Sequence, residues 1–411
     1  MPEFSHLFSK NANNMKASAI RELLKLTQRP EVISFAGGLP APDTFPVDDL
    51  KAAANVVFDT QARKALQYGA TEGDNNLKEE LLKFEARQGL KLEGKNLLIV
   101  SASQQALDMV PKVFLDPGDY AIVERPTYLG AIQAIQAYSG KALGVDVTEE
   151  QAGFDMAVLE SKYAEALKQG KKLKYIYVIP DFQNPAGLCW SLEKRKALLE
   201  FAYKTNLPIV EDSPYREVRF MGDPIPSLYQ LDQNGANKGV IINLKTFSKI
   251  LSPGVRLGWI IAHEDMISKF IVAKQSMDLC TSVFSQCWLA EYMKTGKLYD
   301  VIEKTRKLYC EKRNLMVTAL EKNLPKHPEI SWTKPEGGLF LWVSMPKSID
   351  ADKLFHKAIE KNVAFIASSG FYFDDPVHNA MRINFSYPTP EQIEEGTKRL
   401  GAVIEEFLQN K

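Results

Sequence analysis

The segment of residues 240–261, VIINLKTFSKILSPGVRLGWII, constrains the fold more than any other part of the chain. Its apolar start, Val240–Leu244, has the length and composition of a buried strand. A polar segment, T-F-S-K, follows and ends in Lys249, and the S-P-G sequence after it predicts a turn. Beyond the turn come Arg256 and a second apolar run from Leu257. The pattern predicts a lysine placed just beyond a buried strand.

The residues around Lys249 suit the binding of a phosphate-bearing aldehyde. An amine in a partly desolvated site has a lowered pKa, and its neutral form can join an aldehyde through a Schiff base. The hydroxyls of Thr246 and Ser248 and the guanidinium of Arg256 could hold the phosphate, since arginine donates two parallel hydrogen bonds. A lysine on a solvated loop, with an arginine on the surface, is the alternative.

The order T-F-S-K-x3-P-G-x-R-x-G resembles the lysine motif of fold-type I pyridoxal-phosphate aminotransferases, class I/II. Residues 33–46, ISFAGGLPAPDTFP, are similar to the N-terminal loop of the 2-aminoadipate/kynurenine aminotransferase subgroup. A segment of the form Y-G-x3-G-x3-L begins at Tyr68. The resemblance covers nearly the whole chain, from about Ile33 to Phe407. It implies pyridoxal 5'-phosphate as the cofactor, attached to Lys249.

Strands and helices alternate between residues 97 and 262, which predicts an α/β fold with a mostly parallel sheet. The resemblance implies the fold-type I architecture, in which a large domain with a mostly parallel seven-stranded sheet accompanies a smaller α+β domain. We expect an N-terminal arm that belongs partly to the small domain (1–48), a large cofactor-binding domain (49–297) and a C-terminal small domain (298–411). A long amphipathic helix over Tyr299–Asn323 would link the two domains.

A second anion site is predicted where the strand Leu97–Val100 is followed by a helix. The amides of the first helical turn are unpaired and point outward, so they can bind a phosphate. This makes Ser103, Gln104 and Gln105 candidate phosphate ligands. Ser103 could equally cap the helix, because serine is a favoured N-cap residue.

Four further candidates follow predicted strands, where open α/β sheets bind their ligands. The resemblance implies that Tyr128 stacks on the pyridine ring and takes part in catalysis, and that Asn184 and Tyr215 bind the phenolic oxygen. It also implies that Asp212 pairs with the pyridine nitrogen. Because a protonated nitrogen makes the ring an electron sink, Asp212 is a predicted catalytic residue. From the residues alone, Asp212 could instead cap a helix that begins shortly after it.

The resemblance also implies four substrate-binding residues. Gly38, in the N-terminal loop, meets the substrate carboxylate; Asn184 is shared with the cofactor; and Arg382, in the apolar strand M-R-I-N-F, binds the α-carboxylate. Arg21, on a predicted helix over Met15–Leu26, would select acidic side chains. The alternatives are a structural salt bridge for Arg382 and an exposed helix position for Arg21.

Together these residues predict an aminotransferase that moves an amino group between an L-amino acid and 2-oxoglutarate. The donor would be 2-aminoadipate or an aromatic or aliphatic amino acid, and the freed Lys249 would act as the general base. A decarboxylase or lyase of the same fold is the alternative. We do not expect a non-enzymatic regulator that fuses this fold to a DNA-binding domain, since the sequence starts almost directly at the aminotransferase part and has no basic bias.

Composition narrows the partners and the location. The 51 basic and 51 acidic residues give a formal net charge of zero, which disfavours nucleic acid and membranes as partners. Four cysteines without C-x2-C spacing and five histidines without an H-x3-H pair predict reduced thiols and no metal. With no signal peptide or membrane span in the sequence, we expect a cytoplasmic protein. In the resembled family the tyrosine at Tyr68 reaches the cofactor phosphate of the neighbouring subunit, which implies a homodimer with shared active sites.

Overall fold

A computed structural model describes residues 4–14 and 29–409 of the 411-residue chain. Within these residues the strands are β1 (Ile33–Ser34), β2 (Leu97–Val100), β3 (Tyr120–Arg125), β4 (Lys141–Thr148), β5 (Gly153–Phe154), β6 (Leu173–Val178), β7 (Ile209–Asp212), β8 (Ile241–Thr246), β9 (Gly258–Ile261), β10 (Ser331–Trp332), β11 (Phe340–Ser344), β12 (Val363–Ala364), β13 (Ile366–Ala367) and β14 (Ala380–Asn384). The α-helices of the same part of the chain are Lys10–Asn14, Val47–Ala65, Asn75–Arg87, Ala102–Phe114, Leu129–Ala137, Met156–Lys168, Leu192–Thr205, Leu228–Asn234, Glu264–Gln275, Val283–Lys294, Leu298–Asn323, Ala351–Glu360 and Pro390–Gln409.

The apolar start of the lysine segment forms β8, which lies inside an eight-stranded sheet. The strand order is β2-β9-β8-β7-β6-β3-β4-β5. The pairs β8–β7, β7–β6, β6–β3 and β3–β4 are parallel. By contrast, β9 is antiparallel to both β8 and β2, and the two-residue β5 is antiparallel to β4. The mostly parallel seven-stranded sheet expected from the sequence is present, with β5 added at one edge.

The central strands are buried on both faces, as is usual where helices cover both sides of a parallel sheet. Every residue of β7 and β8 is buried. Successive side chains enter different cores, so that Ile241 packs in one apolar cluster and Ile242 in another. Lys245, a buried cation of β8, is neutralised by Glu85 and Glu217, each with an oxygen 2.9 Å from its Nζ. The strands that carry the candidate residues are therefore rigidly held.

A second sheet, of order β10-β11-β14-β13, is antiparallel throughout. The short strand β1 pairs in parallel with β12, which ties the segment before the N-terminal glycine loop to the C-terminal part of the chain. The long helix Leu298–Asn323 packs along the helix Pro390–Gln409 and carries Tyr309, whose hydroxyl accepts from the Ala41 amide. The domain boundaries at residues 48 and 297 remain a prediction.

Between His263 and Gly296 the chain forms two helices, Glu264–Gln275 and Val283–Lys294. The second has its own N-cap, since the Ser282 side chain accepts from the Ser285 amide. The helix expected over residues 15–26 lies outside the described residues. Among the helices of the described ranges, none has the length and apolar character needed to cross a membrane.

Candidate active site

Parallel strands bring the predicted residues to one edge of the large sheet. The carboxyl ends of β3, β6, β7 and β8 lie at this edge, and Tyr128, Asn184, Asp212 and Lys249 stand at or just beyond them. These side chains line a cavity of about 440 Å³. The predicted residues that line it are Gly38, Ser103, Gln104, Tyr128, Asn184, Asp212, Tyr215, Thr246, Ser248, Lys249, Arg256 and Arg382.

Lys249 lies three residues beyond the end of β8, and its amine is enclosed by the cavity. The Nζ atom donates to the backbone oxygen of Gly38 at 2.7 Å. Burial lowers the pKa of Lys249 to about 8, and the positive charges of Arg382 and Arg256 add to this shift. A substantial fraction of the amine is therefore neutral near pH 8, which is the form that attacks an aldehyde. The solvated loop lysine considered as the alternative is wrong.

The lysine segment also supplies donors for an anion. The Thr246 hydroxyl donates to the Ser248 Oγ at 2.9 Å, and both hydroxyls line the cavity. Arg256 has a left-handed backbone, with φ of 52°, and an exposed side chain at the cavity wall. Its Nη1 atom donates to the Pro253 oxygen at 3.3 Å. Two hydroxyls and one guanidinium thus face the same space.

The helix Ala102–Phe114 begins beside these donors, and Gly258 of β9 makes this approach possible. A Cβ atom at Gly258 would lie 2.5 Å from a backbone oxygen of β8, 2.9 Å from the Ala102 carbonyl carbon and 3.0 Å from the Ser103 nitrogen. The last glycine of the lysine motif is therefore required by close packing of backbone on backbone. The N-cap is Ser101, so the capping interpretation of Ser103 is wrong. Ser103 lies in the first turn, where amides have no intrahelical acceptor.

Asp212 is the last residue of β7 and is 2% exposed. Its Oδ2 atom accepts from the Tyr177 hydroxyl at 2.8 Å, whereas Oδ1 has no hydrogen-bond partner among the described residues. Burial raises the pKa of Asp212 to about 7, against the Tyr177 hydrogen bond, which lowers it. The next helical turn, Arg216–Val218, begins after Tyr215, so the helix-cap interpretation of Asp212 is wrong. A buried carboxylate oxygen in this position calls for a donor from a ligand.

Arg382 is a buried cation in β14, only 4% exposed. Its Nη1 atom donates to the Asn184 Oδ1 at 2.8 Å, and Nη2 donates to the Ala36 backbone oxygen at 2.6 Å. The guanidinium carbon lies 4.1 Å from the centre of the Phe340 ring. Burial lowers the pKa of Arg382 to about 10, and no described carboxylate pairs with it. The structural salt bridge is therefore not found, and a buried guanidinium among neutral partners suits an anionic ligand.

Asn184 connects the two sides of the cavity. Besides accepting from Arg382, its amide nitrogen donates to the Tyr215 hydroxyl at 3.3 Å. The Tyr215 ring meets the Phe340 ring edge-on, with centroids 5.9 Å apart. Asn184 therefore joins Arg382 on one side of the cavity to Tyr215 on the other.

Two predicted site residues of the described ranges, Gln105 and Tyr68, do not line the cavity. The side chain of Gln105 is held elsewhere: its Oε1 atom accepts from the Ser101 amide, and its Nε2 atom donates to Asp278 at 2.8 Å. Tyr68 follows the helix Val47–Ala65 and is 79% exposed. Arg21 lies outside the described residues.

Sequence reasoning did not identify some residues that shape the cavity. Phe340 and Gln133 line it, and Tyr177 supports Asp212 from the neighbouring strand. Tyr177 did carry a signal, because a tyrosine inside an apolar strand needs a partner for its hydroxyl. Phe340 and Gln133 occupy ordinary apolar and helical patterns, which do not show which side chains face a ligand.

Comparison with known proteins identifies the family of this chain. The family model for aminotransferase class I and II matches residues 30–400. The chain is 43% identical over 407 residues to aromatic-amino-acid aminotransferase 1 of Thermococcus litoralis, a match that spans 99% of this chain and 96% of that protein. The chain belongs to the aminotransferase class I and II family.

Two solved structures superpose on this aminotransferase over almost its whole length. The kynurenine aminotransferase of Pyrococcus horikoshii, in complex with PMP, superposes with a TM-score of 0.93 and 43% identity over 99% of this chain and 98% of that one. LysN, the alpha-aminoadipate aminotransferase of Thermus thermophilus, complexed with N-(5'-phosphopyridoxyl)-L-leucine, gives a TM-score of 0.91 and 37% identity over 100% of both chains. The protein is therefore an enzyme of fold type I whose cofactor is pyridoxal 5'-phosphate, and its substrates are amino and 2-oxo acids.

The residues of the cavity fit this cofactor on their own chemistry. The unpaired Oδ1 of Asp212 can accept from a protonated ring nitrogen. Lys249 offers an amine close to neutrality for an aldehyde. The hydroxyls of Thr246 and Ser248 and the guanidinium of Arg256 offer donors for a phosphate.

Proposed function

We propose that this aminotransferase transfers the amino group of an L-amino acid, either 2-aminoadipate or an aromatic or aliphatic donor, to 2-oxoglutarate. One observation carries the proposal: the buried guanidinium of Arg382 has only neutral partners among the described residues. Every amino acid and every 2-oxo acid brings an α-carboxylate, which can bind such a guanidinium with two hydrogen bonds. The relatives named for aromatic amino acids, kynurenine and alpha-aminoadipate support this range of donors.

In this proposal five residues hold the cofactor phosphate. The first-turn amides of Ser103 and Gln104, the hydroxyls of Thr246 and Ser248, and the guanidinium of Arg256 all line one part of the cavity. Backbone amides at a helix start and charged donors together make a strong phosphate site. Gln105 is left out of this set, because it does not line the cavity and its side chain is bonded to Asp278.

Other residues hold the ring. When bound, pyridoxal 5'-phosphate supplies an electron sink for charge that develops at the substrate α-carbon. Asp212 accepts from the ring nitrogen through Oδ1, while Tyr177 fixes the carboxylate through Oδ2. Tyr128 stacks on the ring, and Asn184 and Tyr215 bind the phenolic oxygen.

Lys249 and Arg382 act on the substrate itself. Arg382 fixes the α-carboxylate, and the backbone at Gly38, which lines the cavity beside Phe340, meets the same carboxylate. The Lys249 amine, once free, removes the proton from the substrate α-carbon and returns it at the cofactor carbon. A pKa near 8 suits this work, since a base is most effective when its pKa lies close to the working pH. Arg21 remains the predicted partner of acidic side chains.

We further propose a homodimer in which Tyr68 reaches the phosphate site of the partner. The exposed apolar residues around it support this: Phe58 is 53% exposed, Leu66 71% and Tyr68 79%. Phe58 packs against Phe284 of the helix Val283–Lys294, with ring centroids 5.2 Å apart. Exposed large apolar side chains in one segment are typical of a subunit interface. The cytoplasmic location is also part of the proposal, and the free thiols of all four cysteines support it.

The function is tested by separate half-reactions. Enzyme loaded with cofactor is mixed with each of a panel of amino acids, including 2-aminoadipate, kynurenine, aromatic donors and leucine, while the absorbance of the bound cofactor is followed. A transaminase yields the matching 2-oxo acid, and 2-oxoglutarate then restores the starting absorbance. Release of CO2 or of an elimination product, without restoration, would instead identify a decarboxylase or lyase.

Two variants make the test specific. Arg382→Lys keeps the charge but loses the planar pair of donors, so KM should rise for every substrate alike. Arg21→Ala should raise KM for glutamate and 2-aminoadipate by roughly ten- to a hundredfold, the effect of one charge-assisted hydrogen bond, and leave leucine nearly unchanged. Equal losses for both classes would remove Arg21 from the specificity site.

A further inference from the structure

Glu124 is a buried carboxyl group that does not line the cavity. It lies near the end of β3, is 1% exposed and has no basic partner among the described residues. Three donors surround it instead. Its Oε2 atom accepts from the Ile179 amide at 3.0 Å and from the Gln183 side chain at 3.3 Å, and its Oε1 atom accepts from the Trp190 indole at 2.8 Å.

All three donors belong to one loop, residues 179–190, which carries Asn184. Ile179 begins the loop, Gln183 precedes Asn184, and Trp190 ends the loop, with its amide donating to Pro180 at 2.8 Å. The Glu124 carboxyl group therefore holds the loop at its start, its middle and its end.

Further hydrogen bonds of Gln183 fix the backbone next to Asn184. Its Nε2 atom also donates to the Pro126 oxygen at 2.7 Å, and its Oε1 atom accepts from the Ala186 amide at 3.0 Å. Gln183, directly before Asn184, is thus bonded to Glu124 and Pro126, and it also holds the amide of Ala186, two residues after Asn184. Asn184 itself can then reach Tyr215 on one side and Arg382 on the other.

We propose that Glu124 is a positioning residue that holds Asn184 in the orientation needed to bind the cofactor's phenolic oxygen. The inference rests on the proposed function, in which Asn184 has that role. Glu124 touches neither the cofactor nor the substrate and acts only through the loop.

The chemistry of the three donors explains why a carboxylate stands here. A carboxylate only accepts, and each of its oxygens can take two hydrogen bonds, so three donors are satisfied. Burial raises the pKa of Glu124 to about 8, against the three donors, which favour the ionised form, so all three are accepted by a carboxylate above about pH 8. A glutamine of the same shape would turn its NH2 group toward at least one N–H of Ile179, Gln183 or Trp190. At least one anchor of the loop would then be lost.

Glu211 provides a matched control. It is equally buried and also accepts three hydrogen bonds, from the amides of Leu228 and Tyr229 and from the Asn243 side chain. It supports the start of the helix Leu228–Asn234 rather than the Asn184 loop. Glu124→Gln and Glu211→Gln are therefore the same chemical change at two buried three-donor sites, and both should lower the melting temperature.

The readout is the pH at which the absorbance of the bound cofactor changes. An oxygen that loses a hydrogen-bond donor holds a proton more tightly, so its titration moves to higher pH. Asn184→Ala should raise the midpoint by about one pH unit, the shift that one hydrogen bond supports. Glu124→Gln should raise it in the same direction, and the double variant should shift no further than Asn184→Ala alone. The midpoint of Glu211→Gln should stay at the wild-type value.

Each result decides the matter. An unchanged midpoint in Glu124→Gln, or a double variant whose shift is the sum of the two single shifts, would overturn the positioning role. If Glu124→Gln does not fold, Trp190→Phe removes a single donor and keeps an aromatic ring, and it should give a smaller shift of the same sign. A wild-type protein that binds no cofactor would overturn the proposed function, and this inference with it. A wild type that titrates normally beside an unshifted Glu124→Gln would overturn the inference alone.

Discussion

Burial moves two ionisable side chains of the cavity toward neutral pH from opposite directions. It lowers the pKa of Lys249 to about 8 and raises that of Asp212 to about 7. Both groups lose hydration in the same enclosed space, where the charged form of each is disfavoured. The protein without its cofactor thus contains a base and an acid that titrate within about one pH unit of each other, although their ordinary values lie more than six units apart.

The first prediction concerns the pH at which Lys249 accepts its cofactor. Only the neutral amine attacks the aldehyde, so attachment to the apoprotein should speed up as pH rises and level off above about 8, rather than near the ordinary lysine value of 10.5. Stopped-flow absorbance measures the rate. The same shift makes the free energy of unfolding rise between about pH 8 and 10.5, because the unfolded chain then binds the additional proton.

The attachment site is checked directly. Reduction with borohydride followed by peptide mass spectrometry should find the cofactor on Lys249, and Lys249→Ala should lose turnover while keeping the fold. An adduct on another lysine, or a rate that keeps rising to pH 10, would contradict the assignment.

The second prediction concerns Asp212, whose free oxygen we assign to the ring nitrogen. Asp212→Ala should slow removal of the substrate α-proton by orders of magnitude, since a lost electrostatic contact of this kind is worth about 3–4 kcal/mol. Single-turnover kinetics measure the rate of this proton removal. Tyr177→Phe is the control, because it removes only the hydrogen bond to Oδ2 and should have a smaller effect. Nearly wild-type rates for Asp212→Ala would leave this carboxylate without a catalytic role.

At the scale of elements, the proposed phosphate site depends on the close backbone packing between Gly258 of β9 and the start of the helix Ala102–Phe114. Gly258→Ala would push a methyl group against backbone atoms that cannot move aside, at 2.5–3.0 Å. Overpacking of this kind is destabilising by about 1–3 kcal/mol. The displaced helix start should also weaken cofactor binding. Calorimetry and fluorescence titration of the apoprotein measure the two effects.

Gly254→Ala is the matched control for this third prediction. A Cβ atom there would lie 3.7 Å from the nearest atom, the Ser252 Oγ, which is an ordinary contact. It belongs to the same motif and should leave stability and cofactor affinity nearly unchanged. If the two substitutions had equal effects, close packing of β9 against the helix would not be the reason for the glycine at position 258.

The sequence best predicted which residues line the cavity where a strand end fixes their position. Asp212 and Lys249 are such residues, because parallel strands deliver their carboxyl ends to one edge. It predicted helical neighbours less well: Ser103 and Gln104 face the cavity, whereas Gln105, a further 100° around the helix, turns away to Asp278. Contacts made across strands, such as that of Glu124 with the Asn184 loop, have no signature in any single segment.

At the scale of the whole molecule, the residue pattern predicted the large sheet, but it did not predict the strand pairing by which the N-terminal arm contacts the C-terminal part of the chain. The alternation of strands and helices was sufficient for the parallel sheet. The pairing of β1 with β12 joins residues more than three hundred positions apart through two-residue strands, which are too short to produce a periodic pattern. This pairing helps to place Gly38 and Arg382 on one cavity.

The fourth prediction tests the shared dimer. The smallest active species in sedimentation should be a dimer. If Tyr68 serves the partner's site, mixing Tyr68→Phe with Lys249→Ala subunits gives heterodimers in which one site is intact and the other carries both substitutions. Activity should therefore recover above that of either variant alone. A stable, active monomer, or a mixture no better than its components, would contradict shared sites.

The position of Arg382 on a cavity of about 440 Å³ has a kinetic consequence. In the proposed function, one guanidinium binds the carboxylate of the donor and that of the acceptor, so the two substrates must occupy it in turn. Reciprocal plots of rate against donor concentration, at several fixed concentrations of 2-oxoglutarate, should then be parallel lines. Excess oxo acid should also inhibit, because it fills the site of enzyme that is waiting for an amino acid. When both substrates are abundant, this inhibition makes the rate depend on the ratio of oxo acid to amino acid.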